Sequence, residues 1–246
     1  MTASLRALWR LARSVLHGLH GLAVVLLCFP HLDAGGRHAR IGWWAAGLLD
    51  AMGVCLDVRG GVTPGGKLIV ANHVSWLDIM AIHASCPQAR FVSKADVKSW
   101  PLIARLVDSA GTLYIERERK RDALRLVHQI ADALAAGHTV AVFPEGTTSD
   151  GTALLPFHAN LLQAAIATRS RVQPVVLRFS DPAHHVSPAA EFVGNTSLMR
   201  SLWRLARAEG LTVHVAWLPP HATAHADRRA LAQSLRQEIA ATLASG

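Results

Sequence analysis

Apolar positions along the chain follow two rhythms that change over near residue 60. In the first stretch, Leu5, Leu8, Trp9, Ala12, Leu16 and Leu19 surround a row formed by Arg6, Arg10, Arg13, His17 and His20, spaced by four, three, four and three residues. That spacing stacks the basic side chains in one stripe of a helix whose remaining surface is apolar. After the Gly35-Gly36 break, 41–56 reads as a second apolar helix, and its Trp43-Trp44 pair suits a lipid headgroup boundary. Residues 1–59 are therefore expected to form a two-helix hairpin lying on a membrane, its basic stripe meeting an anionic leaflet. The alternative is a hairpin packed on the protein's own core.

Gly60-Gly61, Pro64 and Gly65-Gly66 mark a boundary, and 60–246 alternates between the two periodicities. Short β-branched runs predict strands over 67–71, 89–93, 112–115, 139–143, 172–179 and 211–218. Between and after them, helices are expected over 77–85, 101–109, 119–136, 159–168, 197–208 and 227–243. Strand followed by helix, repeated, predicts an α/β domain with a largely parallel sheet flanked by helices.

Composition narrows the picture. With 51% hydrophobic and 17% charged residues among 246, the chain is neither disordered nor fibrous. A formal net charge of +8 implies an anionic partner. Nucleic acid is argued against, because the arginines lie in the N-terminal stripe and on 117–125 without interleaved aromatics. Cys28, Cys55 and Cys86 are too widely spaced for a local metal site or disulfide framework, which favours a reducing compartment. Arg6, Arg10 and Arg13 before the apolar run 21–29 resemble a signal peptide, but no small-x-small site follows. The run itself is short of the roughly 20 residues a spanning helix needs.

In open α/β sheets chemistry collects at the carboxyl ends of the strands, and these ends carry unusual residues. After 67–71 comes Asn72-His73-Val74-Ser75-Trp76-Leu77-Asp78. With His73 in the turn and Asp78 in the first turns of the helix, the carboxylate can fold back onto the imidazole and make it a base. The plainer reading has Asn72 or Ser75 as helix cap and Asp78 as a surface charge. After 139–142 comes Phe143-Pro144-Glu145-Gly146-Thr147-Thr148-Ser149; a third strand ends Gly111-Thr112-Leu113-Tyr114-Ile115-Glu116-Arg117, and a fourth holds Val172-Gln173-Pro174-Val175.

Together, and in this order, these blocks resemble the glycerolipid acyltransferase family of the 1-acylglycerol-3-phosphate acyltransferase type. Its four blocks are NHxxxxD, GxxFIxR, FPEGTxS and a VxPV strand, and Tyr114 replaces the family Phe. The resemblance implies a catalytic His73 oriented by Asp78, with Arg117, Glu145 and Gly146 shaping the acceptor site; Lys94 is a further candidate partner for a phosphate or carboxylate, and Thr147 a further candidate for substrate binding. It implies transfer of an acyl chain from acyl-CoA or acyl-acyl carrier protein, as co-substrate, to a lysolipid hydroxyl. No other cofactor and no metal is expected, since a thioester is already activated. The membrane served is expected to be the cell membrane, on its cytoplasmic face. A non-catalytic lipid-binding module is the reading from another class, and the intact His73 and Asp78 argue against it.

One departure bears on the acceptor. Members that make phosphatidic acid usually continue FPEGT with Arg or Lys, whereas here Thr148 precedes Ser149-Asp150-Gly151. This continuation resembles the acyltransferases that finish ornithine lipids. The expected acceptor is 1-acylglycerol 3-phosphate, with a lyso-ornithine lipid as alternative, and residue 148 is expected to face the headgroup.

Overall fold

The computed structural model describes residues 2–94, 101–115 and 120–245. Its strands are β1 (Cys55–Arg59), β2 (Lys67–Ala71), β3 (Ala89–Lys94), β4 (Leu113–Ile115), β5 (Thr139–Val142), β6 (Arg171–Ser180) and β7 (Thr212–Trp217). They form one seven-stranded sheet in the order β1-β7-β6-β2-β5-β3-β4. β2 to β6 run parallel. β7 turns antiparallel to β6 and pairs parallel with β1 at the edge. The helices are α1 (Ala3–Leu27), α2 (Ala34–Met52), α3 (Leu77–Ser85), α4 (Pro101–Ser109), α5 (Lys120–Ala135), α6 (Gln163–Thr168), α7 (Leu198–Arg207) and α8 (Arg228–Ser245).

Every residue of β2 is buried, as expected for a strand covered on both faces. On one face Ile69, Leu177 and Phe179 pack against Ala7, Leu49, Leu77 and Leu205 from α1, α2, α3 and α7. On the other, Leu68, Val70 and Val172 meet Ile130 of α5, Ala165 of α6 and Leu235 and Ile239 of α8. This is the mixed α/β layer, with its mostly parallel sheet, that the alternating pattern predicts.

The first sixty residues differ from expectation in three ways. The second helix begins at Ala34, so Gly35 and Gly36 lie inside it, because Asp33 caps it by accepting the Gly36 N–H at 2.7 Å. The break falls earlier, at a 3-10 turn over Phe29–His31 that holds Pro30. The helix also stops short of 56: Gly53 takes a left-handed conformation at φ 73°, and the chain from Cys55 pairs with β7 as the edge strand β1.

The third difference concerns the basic stripe, which faces the protein. Arg6 donates to the carbonyl of Arg207 at 3.0 Å and pairs with Glu209 at 3.3 Å. Arg10 donates to the carbonyls of Ala206 and Ala208, Arg13 pairs with Asp50 at 2.6 Å, and His17 stacks on Trp44. Arg6 and Arg10 thus satisfy the orphan carbonyls at the negative end of α7. The opposite face of α1 exposes Leu5, Leu8, Trp9, Val15, Leu16 and Leu19. Over its 25 residues α1 is long and apolar enough, by length and composition, to cross a membrane, although the uninterrupted apolar run is short.

Candidate active site

The site grows out of the strand order. β2 lies between β5 and β6, with Val70 level with Val142 and Ala71 level with Val175. The segments leaving β2 and β5 therefore emerge side by side, and each carries one of the unusual sequences. Asn72 reaches to the third strand: its carboxamide donates to the Leu177 carbonyl at 2.8 Å and accepts the Leu177 N–H at 2.8 Å. Asn72 thus substitutes for ladder bonds where β2 ends, and it is not a helix cap.

His73 follows. Its Nδ1 lies 2.7 Å from Asp78 Oδ2, and the same oxygen accepts the N–H groups of Val74 at 2.7 Å and Ser75 at 2.9 Å. Asp78 is fully buried in the first turn of α3. Oδ2 already accepts two N–H groups and suits a third donor, so the contact favours the tautomer with its proton on Nδ1, which in the neutral imidazole leaves the Nε2 lone pair free. The His73 side chain keeps 19% of its surface exposed, enough for a reactant to approach.

The loop after β5 holds this histidine in place. The Phe143 ring stacks on the imidazole, centroids 3.9 Å apart and planes within 9°. Glu145 Oε1 accepts the His73 N–H at 2.8 Å, while Oε2 accepts the N–H of Leu155 at 2.8 Å. The His73 carbonyl accepts the Ser149 N–H at 2.8 Å. Glu145 is buried, and burial pushes its carboxyl above the ordinary range while the two N–H donors pull it back. Gly146 adopts φ 72° with its N–H bonded to the Phe143 carbonyl, and a Cβ there would lie 3.1 Å from the His158 ring. Thr147 is exposed on the rim.

His73, Asp78, Glu145, Gly146 and Thr147 thus converge on one loop junction. Lys94 ends β3 with its backbone level with Ile115, and Arg117 lies outside the described residues. Phe143, Ser149 and the role of Asn72 escaped the sequence reading, although all three sit within the quoted blocks. Thr148 does not stand free towards a headgroup: its hydroxyl donates to the Phe192 carbonyl.

Of three further histidine–carboxylate pairs among the described residues, one lies on the sheet near its β1 edge, where His214 Nδ1 is 2.9 Å from Asp57 and Nε2 is 2.7 Å from the Ser180 hydroxyl. Its members sit on paired stretches of β1, β6 and β7, whereas His73 sits at a strand end opening into a turn. The His73 site matches the usual location of chemistry in such sheets.

The fold is an α/β layer with a carboxylate-oriented histidine at the carboxyl ends of its central strands, an arrangement suited to base-assisted chemistry. The acyltransferase family pattern matches residues 58–178. The chain is 36% identical to a lyso-ornithine lipid O-acyltransferase of Pseudomonas aeruginosa, over 96% of this chain and 93% of that one. It is 35% identical to a 1-acyl-sn-glycerol-3-phosphate acyltransferase of Neisseria meningitidis, over 80% and 78%. The crystal structure of the 1-acyl-sn-glycerophosphate acyltransferase of Thermotoga maritima shares the fold, with TM-score 0.67, 17% identity and coverage of 96% and 97%. This chain belongs to the acyltransferase family and is an enzyme of that class.

Proposed function

We propose that the protein moves an acyl chain from a thioester, on coenzyme A or acyl carrier protein, to the free hydroxyl of 1-acylglycerol 3-phosphate. The observation that carries this reading is the 2.7 Å contact between His73 Nδ1 and Asp78. Nε2 takes the proton of the acceptor hydroxyl as its oxygen attacks the thioester carbonyl carbon. The carbon–sulfur bond breaks, and the imidazolium, stabilised by the Asp78 carboxylate, gives that proton to the leaving sulfur, so that the free thiol departs and the base is restored. Lys94 and Arg117 are the cations we assign to the acceptor phosphate. The exposed apolar face of α1 brings the site to a lysolipid in the bilayer, on the cytoplasmic leaflet where thioester donors are made.

A lyso-ornithine lipid is the second acceptor reading. It is favoured by the Pseudomonas aeruginosa relative of that name, whose alignment extends over 96% of this chain. Purified protein assayed with both lysolipids and both donor types decides between them. Phosphatidic acid as the preferred product supports the first reading, and preferential acylation of lyso-ornithine lipid supports the second. Transfer to neither, with an intact fold, overturns both.

A further inference from the structure

Between β6 and α7 the chain makes a long excursion, 181–197, that crosses the top of the sheet and touches both loops of the site. Its pivot is the backbone of Phe192. The Phe192 N–H donates to the Val74 carbonyl at 3.2 Å, and its carbonyl accepts the Thr148 hydroxyl. Val74 is the neighbour of His73, and its own N–H rests on the Asp78 carboxylate at 2.7 Å. One residue of the excursion therefore joins the base loop to the loop that carries Glu145.

The excursion is itself held by α7. Arg204 donates from Nε to the Ala189 carbonyl at 3.1 Å and from Nη2 to the Glu191 carbonyl. A planar guanidinium with several donors can pin two carbonyls of an irregular segment at once, which a lysine cannot do in the same geometry. Beside this contact, Ser201 of α7 accepts the Trp76 indole N–H at 3.1 Å, just before the helix that bears Asp78.

We infer that Thr148 and Arg204 are positioning residues for acyl transfer, forming a clasp that acts through Phe192 to keep the His73 loop and the Glu145 loop in register. The inference rests on the acyltransferase reading above and assigns residue 148 a different role from headgroup recognition. A hydroxyl suits the clasp because it donates to a carbonyl without adding a charge. The register matters because a base displaced by about 1 Å loses on the order of a hundredfold in rate.

The test uses the full-length purified protein in mixed micelles, with Thr148→Val, Thr148→Ser, Arg204→Met and Arg204→Lys, and with 1-acylglycerol 3-phosphate and lyso-ornithine lipid as separate acceptors. Thr148→Val keeps the shape and removes the donor. It is expected to lower kcat by about tenfold or more on whichever acceptor is used, with KM within about threefold. Thr148→Ser restores the rate. Arg204→Met lowers kcat in the same way with Arg204→Lys rescuing little, and the double variant with Thr148→Val loses less than the product of the two, since both act through the position of Phe192. Amide exchange at residues 73–75 and 192 is expected to quicken in both single variants, a readout independent of turnover. Unchanged kcat and exchange in Thr148→Val and Arg204→Met overturns the clasp. An effect confined to KM, or of opposite sign on the two acceptors, also overturns it, because residue 148 then meets the headgroup. If the unmodified protein turned over neither acceptor, the substrate reading would fall while amide exchange still decided the clasp.

Discussion

The Asp78 carboxylate reaches back along its own chain to His73, and the oxygen that contacts Nδ1 at 2.7 Å is the one that also receives the Val74 and Ser75 N–H groups. One atom therefore orients the imidazole and closes the turn at the start of α3. Being fully buried, it can be removed only at a cost to both.

This double use separates two substitutions. His73→Ala deletes the proposed base at a partly exposed position and should lower turnover by a factor of about 10² to 10⁴ with little change in melting temperature. Asp78→Ala also strands two N–H groups and should cost in addition about 1–3 kcal/mol of stability for each buried donor left unpaired. Steady-state kinetics and thermal melts on the same preparations check both. An unmelted, active His73→Ala protein would remove the mechanism.

Glu145 anchors His73 by its backbone, so its loss should reach the chemistry without touching the imidazole. Glu145→Ala leaves the His73 and Leu155 N–H groups without their acceptors. We expect destabilisation of about 1–3 kcal/mol and at least a tenfold fall in kcat from misplacement of the base. Glu145→Gln, which retains one acceptor oxygen, should lie between the two. Denaturant melts alongside kinetics give the comparison.

The inward stripe of α1 reverses a natural expectation about membrane binding. Arg10→Ala removes donors from the last carbonyls of α7 and should destabilise the protein by about 1–2 kcal/mol, leaving vesicle binding little changed. Leu8→Glu with Leu16→Glu on the exposed face should instead weaken binding strongly and at all salt concentrations. Removing 1–59 should yield an aggregating chain, since Ala7, Leu49 and Met52 belong to the core and β1 covers the edge of β7. Co-sedimentation with anionic and neutral vesicles across a salt series checks these outcomes.

His83 supplies a pH dependence unconnected with the base. It is buried in α3 against Phe91, its Nδ1 has no hydrogen-bond partner among the described residues, and burial holds its imidazole down at about 4. The unfolded chain binds this proton near the ordinary value of about 6.5, while the folded protein does so only near 4. The stability it contributes is therefore present above about 6.5 and is lost as the pH falls through that interval towards 4. His83→Gln should flatten this part of the profile of melting temperature against pH, and an identical slope in both proteins would exclude His83 as its source.

Periodicity alone was enough for the alternation of strands and helices after residue 60, because a buried strand and an amphipathic helix write different repeats into neighbouring residues. The four sequence blocks, read at the strand ends, named His73, Asp78, Glu145 and Gly146, and the fold brings the segments that carry them to one loop junction. What a repeat cannot state is which surface will cover a given face. The stripe from Arg6 to His17 has the same spacing whether it meets lipid phosphates or the carbonyls that close α7 nearly two hundred residues later, and only the packing of α1 on α7 decided for the carbonyls. Cys55–Arg59 became a strand because β7 offered an unpaired edge, a long-range partner invisible to local propensity. Thr148 reads as a missing cation in the sequence and as a donor to Phe192 in the fold. Tertiary structure settles such residues because a polar side chain's role is set by the partner that satisfies it, and here that partner arrives from a distant part of the chain.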